Sequence, residues 1–109
     1  MKLVTFEVST ALRPVPRIGA ISQDKIIDLN MGYTRYLTDK HDKGRSYELA
    51  AAALPPDMIA FFRSGQAGRE AAETTIDYVT RKRSKAPITG PGGEKIEYDM
   101  AEVKLPPFA

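Results

Sequence analysis

The chain has 109 residues, 42% of them hydrophobic and 28% charged, with a formal net charge of +2 and no cysteine. That length suits one domain able to bury about two thirds of its unfolded surface, and the composition is that of a soluble globular protein rather than a disordered one. Disulfide staples and thiolate zinc sites are excluded, and so small a charge gives no ground for nucleic-acid binding by itself.

The amino-terminal "MKLVTFEVST" is interrupted by Thr5 and Glu7, so it is not the continuous apolar region of a signal peptide. The longest apolar run, "LAAAAL" at 49–54, falls far short of the ~20 residues that span a membrane. The expected location is the cytoplasm, with no membrane partner. Within residues 2–9, Val4, Phe6 and Val8 alternate with Thr5 and Glu7, which predicts a half-buried strand. Pro14 and Pro16 break that run, since proline has no N–H for a central ladder. Strand character resumes in "RIGAIS" (17–22), where Gly19 suggests close backbone approach or a bulge, and again in "KIIDLN" (25–30). The joining "SQDK" lacks the Asn-Gly or Asp-Gly of the tightest hairpins, which predicts a looser connection.

From Asn30 the period changes. Asn30 is the expected cap of a helix whose Tyr33, Tyr36 and Leu37 share a face. After the polar "TDKHDKGR", Ser46 is the expected cap of a short helix that Pro55 and Pro56 must end. In "LPPDMIAFFRSG" the prolines and Asp57 mark a helix start and Gly65 its stop, with Met58, Ile59, Phe61 and Phe62 as a broad apolar face. The next helix, 66–85, carries a stripe of Ala67, Ala71, Ala72, Thr75, Ile76 and Val79. Two strand-like runs close the chain, "EKIEYD" with Ile96 and Tyr98 facing one way, and "EVKLPPF" with Val103 and Leu105 doing the same. Strands, then helices, then strands predict an α+β fold: a small antiparallel sheet with three to four helices packed on it, in a single domain over 1–109.

Four places invite a chemical reading. His41, the only histidine, is flanked by Asp39 and Asp42 in a polar loop, where a solvated side chain is the better reading than a metal ligand or an acid–base group. A triad with Ser46 would need every member in that one loop and is discounted. "GPGGEK" (90–95) lacks the Gly-Lys-Ser/Thr ending of a phosphate loop and precedes a strand, so it reads as a turn. Glu97 and Asp99 lie two apart and share a strand face, but two carboxylates without a third ligand make a poor cation site. "TRKRSK" (80–85) has no interleaved aromatics for base stacking and instead offsets a negative helix end. No catalytic, cofactor-binding or metal residue is assigned.

The order "MKLVTFEV", "RIGAISQDKIIDLN", "YTRYL", "ALPPDMIAFFRSG" and "EYDMAEVKLPPF" resembles the amino-terminal domain of bacterial fumarylacetoacetate hydrolase family proteins along nearly the whole chain. Its most specific parts are "RIGAI…KIIDLN" and "LPPDM"; the family often has "DGK" where this chain has "QDK" at 23–25, which alters the turn only. The resemblance implies an accessory domain packed on a carboxy-terminal catalytic domain and partly covering it. There, carboxylates hold Mg²⁺ or Mn²⁺, which polarises the ketone of a 2-oxo or 2,4-dioxo acid for hydrolysis, hydration, isomerisation or decarboxylation. None of those ligands carries over to this sequence. Its end at "LPPFA" is expected to fall near the linker to the catalytic domain, which would make the chain a fragment or a truncated relative. The expected partners are that domain and a second copy in a homodimer. The alternative is a stand-alone interaction module using an apolar face around Phe61 and Phe62. Nucleic-acid binding through Arg81, Lys82, Arg83 and Lys85 ranks last, and a steep salt dependence would mark it.

Overall fold

Residues 3–8, 15–22, 25–40, 45–55, 57–83, 88–99 and 103 are described in a computed structural model. The three early strand-like runs pair there as a meander of β1 (Leu3–Val8), β2 (Val15–Ser22) and β3 (Lys25–Asp28). Four helices follow, α1 (Leu29–Lys40), α2 (Ser46–Ala53), α3 (Met58–Arg63) and α4 (Gly65–Arg83), before the short β4 (Glu97–Asp99) returns to the sheet beside β3. The sheet is antiparallel throughout in the order β1-β2-β3-β4, the expected α+β arrangement.

Two local expectations fail at the first hairpins. Pro16 lies inside β2, paired with Glu7. It is tolerated because β3 pairs only with Gly19–Ser22, so β2 has a described strand neighbour on one side alone at Pro16. The pairing of Ser22 with Lys25 leaves just residues 23 and 24 between the strands, a shorter connection than the turn residues suggest. The residues themselves lie outside the described set, as does Pro14.

Cross-strand partners share a face, and the register separates two. Leu3, Thr5, Ile18, Ala20 and Ile27 form the first; Val4, Phe6, Arg17, Gly19, Ile26 and Tyr98 form the second. The helices cover the first. Ile18 and Ala20 pack there with Leu29, Leu54, Phe61, Ala71 and Ala72, and Ile27 with Tyr78, Val79, Ile88 and Ile96. The Phe6 face of β1, which the alternation marks as apolar, is therefore the one turned away from the helices. It is buried nonetheless: Phe6 and Ile26 are fully enclosed, and the Phe6 ring lies 5.5 Å from that of Tyr98. Ile96 and Tyr98 do not share a side, because Ile96 precedes the strand and joins Val79 and Ile27 under the helices. Leu105 lies outside the described residues.

The helix starts also shift. Asp28, not Asn30, caps α1, its carboxylate accepting from the Met31 N–H at 3.1 Å. Arg45 holds the cap position of α2 without a side-chain bond, while Ser46 is the first helical residue, its hydroxyl 2.7 Å from that of Thr38. Asp57 caps α3 through the Ile59 N–H, and Gly65 ends it with φ +61, both as the sequence predicts. In α4 the buried stripe is Gly68, Ala71, Ala72, Thr75, Tyr78 and Val79, with Ile76 beside it and Ala67 exposed. Small residues let α1 approach closely: a Cβ on Gly32 would lie 2.7 Å from Thr75 Cγ2.

Candidate functional site

Three of the six ion pairs among the described residues join separate elements, and the other three lie four residues apart within α1 or α4. Arg17 on β2 donates from Nε to the Asp28 carboxylate and from its terminal nitrogen to the Asn30 amide oxygen at 3.2 Å. Asn30 in turn donates to the Leu54 carbonyl at 3.1 Å, at the carboxy-terminal end of α2. One connected set of side chains thus joins β2, the start of α1 and the end of α2. Burial pushes the Asp28 carboxyl above its ordinary value, with the Arg17 charge and hydrogen bond pulling the other way. Nothing in "RIGAI…KIIDLN" announces this joint locally, because Arg17 and Asp28 meet only when β2 and β3 pair.

Glu97 and Asp99 are each engaged by a cation. Glu97 accepts from Arg83 of α4, and Asp99 accepts from Lys25 at 2.7 Å, which holds its carboxyl below the ordinary value. Among the described residues no group of three or more histidines, cysteines, aspartates or glutamates is placed to hold a metal ion. Arg83 also reaches Ser22, Arg81 pairs with Asp77 at 3.0 Å, and Lys82 lies 5.5 Å from the Tyr78 ring centroid. The basic run is thus distributed over separate neighbours. Lys85 and His41 lie outside the described residues. In the 90–95 turn, the Glu94 carboxylate accepts from the Gly92 N–H at 2.7 Å and from the Tyr47 hydroxyl, so the chain's own anion occupies that loop amide.

Tyr78 buries its ring under α1 and donates its hydroxyl to Asp39, which Arg35 also holds at 3.0 Å. Burial, then the hydrogen bond to Asp39 and its charge, push the phenol up to about 12. The same hydrogen bond and Arg35 outweigh the desolvation of Asp39 and lower its carboxyl. The native state holds the Tyr78 proton to higher pH than the unfolded chain. Its stabilisation is complete below the ordinary value of 10.0 and drains as pH rises toward about 12. Tyr78→Phe should reduce this alkaline slope and lower stability at neutral pH by about 1 kcal/mol, measured by urea unfolding across that range. An unchanged slope would contradict the assignment.

The surface left unpartnered is apolar. α3 buries Phe61 and half-buries Met58, whereas Ile59 and Phe62 stand 63% and 66% exposed. Phe61 therefore belongs to the core, and the exposed face is Ile59 with Phe62. At about 100° per residue, Phe61 and Ile59 stand about 160° apart around this six-residue helix, with Met58 and Phe62 between them; the width of that arc was the available signal. Open hollows flank the ridge. One, of about 390 Å³, is lined by Thr5, Pro16, Asp57, Met58 and Ile59. The other, of about 380 Å³, is lined by Leu3, Phe61, Phe62, Gly65, Gln66 and Arg69.

Fold and surface together define a four-stranded α+β domain with an exposed apolar ridge on α3. Comparison with protein-family models, curated proteins and solved structures gives no match. No described helix is long and apolar enough to cross a membrane.

Proposed function

We propose that the chain is the amino-terminal accessory domain of a fumarylacetoacetate hydrolase family enzyme, packing on a metal-dependent catalytic domain that acts on 2-oxo or 2,4-dioxo acids. The observation that carries this reading is the Arg17–Asp28–Asn30 joint. The stretch in which the resemblance is most specific builds a strand–helix junction, as suits a scaffold. Mg²⁺ or Mn²⁺ would belong to the catalytic domain, and the work of these residues is to present a rigid helical layer to it.

The test is calorimetry of the 109-residue chain with Mg²⁺, together with assays on a 2,4-dioxo acid. Neither tight uptake nor turnover is expected, and a reading frame continuing past Ala109 into a domain with carboxylate ligands is. Strong Mg²⁺ uptake that Glu97→Gln abolishes would overturn the proposal. A stop codon directly after Ala109 would favour the second reading, a stand-alone interaction module, for which the exposure of Ile59 and Phe62 speaks.

A further inference from the structure

We propose that α3 is a self-complementary docking surface, on which two copies of this chain pair their α3 helices antiparallel about a two-fold axis. This goes beyond the accessory-domain reading and does not rest on it.

Exposed Asp57 stands at the amino-terminal cap of α3 and exposed Arg63 at its last turn, with Ile59 and Phe62 between them. Neither Asp57 nor Arg63 is in an ion pair with another described residue. An isologous contact requires one patch to complement itself. With the axis crossing between Ala60 and Phe61, Ile59 meets Phe62 of the second copy, and Phe62 meets Ile59. The same operation sets each Asp57 against Ser64 of the other copy, one residue from its Arg63. A parallel pairing would instead set Asp57 against Asp57 and Arg63 against Arg63.

The hollows supply the shape. The Ile59 hollow continues over Thr5 and Pro16 at the sheet edge, and the Phe62 hollow over Leu3 and Gln66. Antiparallel pairing places the Phe62 ring of one copy over the Ile59 hollow of the other, so each ridge seats beside its counterpart. A standard interface buries about 800 Å² per partner. One short helix with its flanking hollows lies at the small end of that scale, so the expected affinity is micromolar rather than that of an obligate dimer.

Sedimentation velocity of the whole chain from about 10 µM to about 500 µM tests this. The expected result is a mass rising from 12.0 kDa toward twice that value with concentration. Phe62→Asp should stay monomeric. Arg63→Glu faces the carboxylate of Asp57 in the second copy and should raise Kd about tenfold. Adding Asp57→Asn, which keeps the helix cap but removes the repelling charge, should recover most of that loss. Circular dichroism confirms that each variant is folded, and the Arg63 pair decides the matter if Phe62→Asp does not fold. A monomer at every concentration, a dimer indifferent to the variants, or an Arg63→Glu loss that Asp57→Asn does not relieve would each overturn the proposal. Any of these leaves the accessory-domain reading standing, because that is tested by metal uptake and the downstream reading frame.

Discussion

Asp28→Ala is expected to lower the unfolding free energy by about 3 kcal/mol, a midpoint shift of roughly 2 M urea. Three losses add. The helix α1 loses the acceptor for its Met31 N–H, about 1 kcal/mol on its own. Arg17 loses the partner that its side chain, 22% exposed, was folded against. The network through Asn30 to Leu54 loses one of its anchors. Because Arg17 retains some access to water, the cost sits at the lower end for broken buried pairs. Asp28→Asn should cost distinctly less, since asparagine still caps. The pH dependence follows from the sign of the shift. Burial raises the folded carboxyl above its ordinary value of 3.8, so the native state binds the proton more readily, and ionising Asp28 drains stability as pH rises through that window. Asp28→Asn should remove that slope. An alanine variant within about 0.5 kcal/mol of the parent would contradict the whole account.

Gly19→Ala should also destabilise the protein by about 3 kcal/mol, lowering Tm by roughly 13 °C. Strand propensity argues the opposite sign, since glycine weakens a strand interior. Space decides. A Cβ at position 19 would lie 2.5 Å from Ile26 Cγ2, 2.8 Å from Phe6 Cε1 and 3.0 Å from the Ile27 carbonyl oxygen. Phe6 and Ile26 are fully enclosed, and a β-branched isoleucine is stiff at χ1, so neither can step aside cheaply. Trimming the ring, as Phe6→Leu in the Gly19→Ala background, should recover part of the loss, giving a non-additive double-mutant cycle. A thermal melt with Tm unchanged or raised would show that the second face of the sheet is looser than described.

These two residues mark where sequence reasoning stops. Gly19 was legible as a point of close approach or a bulge, and the unbroken register through it decides for close approach. Which atoms approach it depends on the register of β1, β2 and β3. Asp28 was legible only as part of an apolar run, and the neighbouring Asn30 looked the better cap. Strand pairing placed Arg17 beside both residues, and the chain used asparagine to tie α1 to Leu54 instead.

By itself the sequence determined the features that a residue's own backbone chemistry decides: the early strands, the Asp57 start and Gly65 stop of α3, and the α+β order of segments. Proline, glycine and capping carboxylates act over a few residues, and hydrophobic period is a local count. Only the tertiary structure decided which side of β1 the helices cover, that Pro16 is tolerated in β2, and that α3 buries Phe61 while leaving Ile59 and Phe62 outside. Those outcomes depend on which surfaces are opposed once the chain closes on itself. Burial is a property of two elements in contact, and a periodic stripe carries no record of its neighbour.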